Sequence, residues 1–277
     1  MRWISRRLCL LALALGTTAQ NAAAQAPAPL VFAINEGVTY RVSNDEIRAK
    51  YRGLSDDLGK LLKRPVQIEP VGDYPTLKQG LAERRYDMAF VHPAHISIRA
   101  IRESQYQLIA LTKGFTEYRV SFMVKANSPL RSLADLKGKR LYLPDQDSIT
   151  SWMARATLRD TVGAAEAVTI SYTRYQDAVP FMVEHGFSES GGSAANAVVK
   201  QWTEGGGKVL SQSRPVPIKH IIASPSLSPA DAKAVREYLL GMDSSARGRE
   251  ILEQIKYRGF LGFDEPAMLS LGKWLGV

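Results

Sequence analysis

The sequence predicts an α/β fold, in which a parallel or mostly parallel sheet carries helices on both faces. Short apolar runs of β type alternate with longer runs of helical periodicity, which is the pattern of successive β-α-β units. The segments that follow the apolar runs are rich in hydroxyl, phenol and imidazole side chains. The chain has 277 residues and is 45% apolar, which is enough for two modest α/β domains or one large one.

The first half of the chain alternates strand and helix in a regular order. A strand at 30–34 precedes a helix at 45–62. A strand at 66–71 then leads to a helix that Asp73 caps and that runs to about Arg84. The other predicted elements of this half are a strand at 87–91, a helix at 93–102, and strands at 107–112 and 120–125.

The second half begins with a short helix that Gly138 closes. A strand at 140–143 then stops at Pro144, and a helix follows that runs to about Arg159. The capping box Ser228-Pro-Ala-Asp231 starts a later helix. The remaining predictions are strands at 168–172, 208–210 and 218–223, helices at 176–184, 193–202 and 228–240, and two further helices at the end of the chain.

Residues 1–26 have the pattern of a secretory signal peptide. Three arginines precede an apolar core at 8–15, and small residues allow cleavage near Ala24 or Ala26. The core is shorter than the roughly 20 residues of a membrane span, and no later stretch is long and apolar enough. We therefore predict an exported protein without stable membrane insertion. The only cysteine, Cys9, lies in the leader, so neither a disulfide nor a thiolate metal site is expected.

The charge of the chain is mildly positive. The formal net charge is +9, and removal of the three leader arginines leaves 33 basic against 27 acidic residues, or +6. The lysines and arginines are scattered and form no basic stripe with interleaved aromatic residues, so nucleic-acid binding is not expected. A mild positive field helps to attract small anions.

Five polar segments follow the apolar runs, at 35–40, 72–74, 92–95, 147–151 and 171–175. In an open α/β sheet, ligands bind in the crevice outside the carboxyl ends of the strands. We therefore expect these segments to converge on one polar pocket.

One of these segments has hydroxyl groups at the start of a helix, namely Ser148, Thr150 and Ser151. A helix N-terminus presents unpaired N–H groups and a positive dipole end, so hydroxyls there suit an anion. The alternative is an ordinary N-cap, in which Asp147 or Ser148 closes the first turn of its own helix.

Four motifs together carry a resemblance to a known family. They are Gly72-Asp-Tyr-Pro-Thr-Leu-Lys-Gln-Gly-Leu81, Tyr86-Asp-Met-Ala-Phe-Val-His-Pro93, Ser132-Leu-Ala-Asp-Leu-Lys-Gly-Lys-Arg140 and Asp147-Ser-Ile-Thr-Ser151. Because these motifs occur in this order and at this spacing, the chain resembles the periplasmic substrate-binding proteins of phosphate, phosphite and phosphonate ABC transporters. The resemblance covers about 30–261.

The resemblance implies a periplasmic binding protein fold of type II, with two α/β lobes that close on a ligand. The first lobe would comprise residues 27–117 and 222–277, and the second residues 118–221. A two-strand hinge would pass near 118–122 and again near 217–222.

The resemblance also implies roles for individual residues. Tyr74 matches a tyrosine of the family that donates a hydrogen bond to an anionic oxygen. Ser148, Thr150 and Ser151 align with a Ser-Thr-Ser-Gly cluster of the family that holds the phosphonate oxygens. Glu36 would lie in the cleft, where it could meet a ligand ammonium group. The predicted ligand-binding residues are Glu36, Tyr74, His92, Tyr118, Ser148, Thr150, Ser151 and Tyr175.

The function that the resemblance implies is the capture of a small oxyanion or zwitterion, of phosphonate, phosphate or phosphite type, and its delivery to an ABC permease. The protein would act as a monomer without a cofactor. A sensory or orphan binding protein of the same fold is the first alternative.

A periplasmic metal-dependent enzyme is the second alternative, because His92 and His95 form an H-x-x-H motif. A third ligand would have to come from elsewhere, and the remaining histidines are His185 and His220. The sequence has no G-x-S-x-G motif, P-loop or G-x-G-x-x-G motif. We therefore predict that the protein is not an enzyme and holds no metal.

Overall fold

The computed structural model describes residues 28–37 and 43–277. The predicted signal peptide and residues 38–40 of the first polar segment lie outside the described residues. The strands are β1 (Leu30–Asn35), β2 (Val66–Pro70), β3 (Met88–Val91), β4 (Gln107–Thr112), β5 (Ser121–Val124), β6 (Arg140–Leu143), β7 (Thr169–Tyr172), β8 (Ser190–Ser193), β9 (Lys208–Gln212), β10 (His220–Ala223) and β11 (Phe260–Leu261).

The helices alternate with these strands. They are α1 (Asn44–Leu62), α2 (Tyr74–Ala82), α3 (Ala94–Ser104), α4 (Ile149–Val162), α5 (Val179–Glu184), α6 (Asn196–Glu204), α7 (Pro229–Gly241), α8 (Ala246–Ile255) and α9 (Glu265–Leu275). The predicted short helix before Gly138 is a single 3-10 turn at Leu133–Leu136. Asp73 and Ser228 cap α2 and α7 through their side chains, as the sequence predicts.

The strands form two sheets. The first has six strands in the order β11-β4-β10-β3-β1-β2, and the second has five in the order β7-β6-β8-β5-β9. The prediction of mostly parallel strands is confirmed. In the first sheet β1, β2, β3 and β4 run in one direction and only β10 and β11 run in the other. In the second sheet only β5 runs opposite to the other four strands. The chain enters β10 at the edge where β1 and β3 end, so that strand has to run in the opposite direction.

The two sheets follow the predicted order of the lobes along the chain. The first sheet takes its strands from both ends of the described chain, and the second takes them from the middle. The strand β10 (His220–Ala223) lies entirely in the first sheet, whereas the predicted boundary fell at residue 222. The division into two lobes that move stays a prediction.

Two hydrophobic clusters form the core. One packs α1, α7 and α8 against one face of the first sheet. The other packs α2, α3 and α9 against the opposite face and continues into the second sheet and α4. The C-terminal helix α9 contacts both α3 and α4, and the indole Nε1 of Trp274 donates to Asp160 Oδ2 at 2.6 Å. This second hydrophobic cluster is therefore shared by both sheets.

The strand β8 differs from the sequence prediction, which starts a helix at Ser193. Its sequence is Ser-Gly-Gly-Ser, and all four residues are buried. A Cβ atom on Gly191 would lie 2.5 Å from Val179 Cγ1, and one on Gly192 would lie 2.5 Å from Leu143 Cδ2. The glycines are needed because helix α5 and strand β6 pack directly on this strand.

Gly191→Ala is expected to destabilise the protein by about 1–3 kcal/mol, because the new methyl group overpacks the contact with Val179 and Val183. Gly241→Ala is the matched control, since a Cβ atom there meets no atom within 4 Å. Urea unfolding of both variants measures the difference. Equal stability of the two variants would show that α5 moves aside freely.

Candidate functional site

The start of α4 is built by a tight local network. Pro144 follows β6, and the N–H of Ser148 donates to the carbonyl of Asp145 at 2.9 Å. Ser148 is the N-cap residue, and its Oγ accepts a hydrogen bond from the N–H of Ser151 at 3.2 Å. Ser151 Oγ in turn donates to the carbonyl of Pro144 at 3.2 Å. Ser148 therefore closes its own helix, which is the alternative that the sequence left open.

Thr150 takes no part in this cap. Its side chain is buried, and its Oγ1 lies 3.4 Å from the phenol oxygen of Tyr118 in the predicted hinge. Gln176 Nε2 donates to the same phenol oxygen at 3.1 Å. The hydroxyl groups of Thr150 and Tyr118, which lie far apart in sequence, are therefore brought together beside the start of α4.

Gln176 extends this network to strand β8. Its Oε1 accepts hydrogen bonds from Ser193 Oγ at 3.0 Å and from the N–H of Ala194 at 2.7 Å. Neither Gln176 nor Ser193 was among the predicted site residues. The signal that could have found them is the Ser-Gly-Gly-Ser sequence of β8, whose last residue donates the hydrogen bond to Gln176.

Tyr74 and Tyr175 occupy different surroundings. Tyr74 is buried in the first turn of α2, directly after the cap Asp73. The ring of Tyr175 lies beside the guanidinium of Arg174 at 5.4 Å, and its carbonyl accepts from Thr173 Oγ1 at 2.7 Å. Among the described residues, the hydroxyl of Tyr175 takes part in none of the hydrogen bonds of the network around Thr150.

Two histidines lie at the crevice edge of the first sheet. Burial, with a further contribution from Lys219, lowers the pKa of His92 to about 3. Burial also lowers the pKa of His95 to about 3, and the cations Arg99, Lys78 and Arg155 act in the same direction. Both rings are therefore neutral at physiological pH. No three His, Cys, Asp or Glu side chains of the described residues lie close enough together to hold a metal ion.

His95 contacts the second sheet's helix α4 directly. Its ring stacks on the indole of Trp152, with ring centroids 4.9 Å apart. Beside this stack, Lys78 Nζ of α2 lies 3.1 Å from Asp147 Oδ2, one residue before the cap of α4. The two parts of the chain therefore meet through an aromatic stack and an ion pair.

Glu36 lies in a cluster of internal partners. Its Oε1 accepts hydrogen bonds from Lys50 Nζ at 2.5 Å, from the Tyr51 hydroxyl, and from the Tyr257 hydroxyl at 3.2 Å. Burial opposes its charge, but the hydrogen bonds from Lys50 and Tyr51 outweigh burial and lower the pKa of Glu36. The Glu36 carboxylate therefore stays charged but is paired with Lys50, which weakens the repulsion that it would exert on an anionic ligand.

Lys219 completes this cluster. Its Nζ donates to the Tyr257 hydroxyl at 2.9 Å and lies 4.3 Å from the centroid of the Phe115 ring. Burial lowers the pKa of Lys219 to about 8, although Glu36 favours its charged form. Two lysines against one carboxylate leave this edge of the crevice positively charged.

Comparison with known proteins identifies the family to which the chain is similar. Residues 37–267 match the model of a family described as the periplasmic substrate-binding protein of a phosphonate ABC transporter. Among solved structures, the fold is similar to XAC2383 from Xanthomonas citri bound to ATP, with a TM-score of 0.72 and 15% identity over 89% of this chain and 96% of that one. None of the helices in the described part of the chain is long and apolar enough to span a membrane.

Two further structures share the fold at similarly low identity. PhnD1 from Prochlorococcus marinus in complex with methylphosphonate has a TM-score of 0.64 and 16% identity over 88% of this chain and 96% of that one. The aliphatic sulphonate binding protein SsuA from Escherichia coli has a TM-score of 0.53 and 12% identity over 90% of this chain and 79% of that one. The predicted periplasmic binding protein fold is confirmed. The chain belongs to the family of periplasmic substrate-binding proteins of phosphonate ABC transporters.

Proposed function

We propose that this protein captures a small phosphonate-type oxyanion between its two sheets and delivers it to an ABC permease. The observation that carries the proposal is the first turn of α4, where the buried hydroxyl group of Thr150 stands beside the Tyr118 hydroxyl. The N–H groups of Ile149 and Thr150 belong to the helix end, and no described residue accepts a hydrogen bond from them. Hydroxyl and N–H donors at a positive dipole end suit a phosphonate group.

The charges around the crevice support an anionic ligand. Asp147 is paired with Lys78, and Glu36 is paired with Lys50, while Lys219 adds a positive charge near His92. The candidate ligand residues in this proposal are Tyr74, His92, Tyr118, Ser148, Thr150 and Ser151, with Gln176 added from the structure. Ser148 and Ser151 would act chiefly by holding the helix end in place, because both hydroxyls are already used in the cap.

Closure of the lobes belongs to the same proposal. The predicted lobes, 27–117 with 222–277 and 118–221, would rotate about the segments around Tyr118 and Pro217, and the ligand would hold them together. Hinge closure on a ligand is a common motion in such proteins. The hydrogen bonds between Thr150, Tyr118 and Gln176 then mark the side of the cleft nearest the hinge.

A thermal-shift panel tests the capture step. Methylphosphonate, phosphate, phosphite, ethanesulfonate, acetate and ATP are compared at equal ionic strength, with ATP included because XAC2383 was solved with it. A ligand at a hundredfold excess over its Kd stabilises the folded state by about 2.7 kcal/mol, and each kcal/mol raises the Tm of a chain this size by about 2–4 °C. We expect the phosphorus oxyanions to give the largest shifts. Stabilisation by acetate or ethanesulfonate alone would overturn the proposed ligand class.

The delivery step is supported by membership of a family of ABC transporter components. Cells that produce this protein and use the captured phosphonate as their sole phosphorus source should grow poorly at low phosphonate concentration once the gene is deleted. Unchanged growth and uptake would contradict transport and favour a sensory role for the same binding protein.

A further inference from the structure

The side-chain amide of Gln176 has a defined orientation. The backbone N–H of Ala194 donates to its Oε1 at 2.7 Å, and the Ser193 hydroxyl donates to the same atom at 3.0 Å. A backbone N–H can only donate, so the amide oxygen has to face Ala194. The reversed amide would bring two donors face to face at this distance. The NH2 group of Gln176 is therefore directed away from Ala194.

The donors that hold the amide belong to a buried part of the second sheet. Ser193 is fully buried and Ala194 is 4% exposed. Ser193 is the last residue of β8 and pairs with Ser121 of β5 in the antiparallel ladder. A buried donor that loses its acceptor destabilises the protein, so the Gln176 amide cannot turn over without a cost. The fold itself, and not a ligand, therefore sets its orientation.

This orientation determines the role of the Tyr118 hydroxyl. Gln176 Nε2 donates to the phenol oxygen of Tyr118 at 3.1 Å. A phenol can accept through its oxygen and has one hydrogen to donate. Because the oxygen accepts from Gln176, the Tyr118 hydrogen is turned toward a different partner. Thr150 Oγ1, at 3.4 Å, is one acceptor within its reach.

The contact between Tyr118 and Thr150 is a weak one. Its length of 3.4 Å exceeds the value of about 2.7–2.8 Å that is usual for an O–H···O hydrogen bond. A hydrogen bond to a charged acceptor is shorter and roughly twice as strong as one between neutral groups. An oxyanion beside Thr150 would therefore take the Tyr118 hydrogen with little loss of internal bonding.

We propose that Gln176 is a positioning residue that fixes the Tyr118 hydroxyl as a hydrogen-bond donor to the bound oxyanion, so that the site favours the phosphonate dianion over the monoanion. The dianion has only acceptor oxygens, whereas the P–OH group of the monoanion needs an acceptor. Gln176 acts on the ligand through Tyr118. The inference rests on the proposed function, because it assumes that the ligand binds beside Tyr118 and Thr150.

A double-mutant cycle tests whether Gln176 acts through Tyr118. Gln176→Glu keeps an acceptor for Ser193 and Ala194, but its second oxygen accepts the Tyr118 hydrogen instead of donating to the phenol. In the Tyr118→Phe background, the same substitution retains only the repulsion between the new carboxylate and the ligand. We expect Gln176→Glu to weaken methylphosphonate about fivefold more in the wild-type background than in the Tyr118→Phe background, as coupled residues do.

A pH series tests the preference for the dianion. The affinity of the wild-type protein should rise with pH across the second ionisation of methylphosphonate. In Gln176→Met the Tyr118 hydroxyl can turn over and accept from the P–OH group, so the rise should be smaller. Gln212→Met is the matched control, because it makes the same change at an amide that donates to the Ser121 hydroxyl at 2.9 Å. It should keep the wild-type rise, and melts without ligand check that both variants are folded.

The outcomes separate the two proposals. If the wild-type protein binds no methylphosphonate at any of these pH values, the proposed function fails. If it binds methylphosphonate and Gln176→Glu weakens binding equally in the two backgrounds, the proposed function stands and the positioning role of Gln176 is overturned. The same rise with pH in Gln176→Met as in the wild type would overturn the preference for the dianion.

Discussion

Acidification from about pH 7 to about pH 4.5 is expected to lower the free energy of unfolding by several kcal/mol. Burial lowers the pKa of His92 and His95 to about 3 and that of His220 to about 4, from an ordinary value of 6.5. Below pH 6.5 the unfolded chain therefore binds protons that the folded protein does not. Stability is present above that pH and is lost as the pH falls toward 3–4, by about 1.4 kcal/mol per pH unit for each histidine.

Urea unfolding at a series of pH values measures how steeply stability depends on pH. Two histidine variants show which residues cause that dependence. His220 is fully buried, with Nε2 3.0 Å from the carbonyl of Pro217 and Nδ1 against the Ser97 hydroxyl. His220→Asn removes one titrating group, so its stability should depend less steeply on pH. The matched control is the exposed His185, and His185→Asn should keep the wild-type slope. The same slope in all three proteins would show that the buried histidines do not control acid stability.

Thr150→Val is expected to weaken phosphonate binding about tenfold or more while the ligand-free protein keeps its stability. A hydrogen bond to a charged group contributes about 1.5–3 kcal/mol, whereas the cap of α4 does not involve Thr150. The Tyr118 hydroxyl retains its hydrogen bond from Gln176 in this variant. Calorimetric titration with methylphosphonate and a melt without ligand measure the two effects separately.

Two further variants make the comparison specific. Thr157→Val makes the same chemical change on the same helix, at a residue whose Oγ1 donates to the carbonyl of Met153, and should not change affinity. Ser148→Ala removes the cap and should cost about 0.5–2 kcal/mol of stability with or without ligand. If Thr150→Val binds methylphosphonate like the wild type, the hydroxyl groups of α4 are only structural.

The strands and helices that could be predicted are those whose signal is local. An apolar run such as 30–34 and a cap such as Asp73 or Ser228 depend on residues within a turn of one another, so composition and spacing were sufficient. The family resemblance was also available from short motifs, and the match of residues 37–267 agrees with it. The hydroxyl groups at 148–151 were found for the same reason, because a helix start has a local sequence pattern.

The sequence by itself determined the α/β binding-protein fold, the family and the position at which helix α4 begins. The tertiary structure decided which distant side chains meet: Glu36 with Tyr257, Tyr118 with Thr150 and Gln176, and His95 with Trp152. It also decided that the four residues of β8 form a strand, because α5 and β6 pack on glycines that have no strand propensity of their own. Local patterns arise from neighbours along the chain, whereas these contacts depend on how separate elements pack, which spacing alone does not specify.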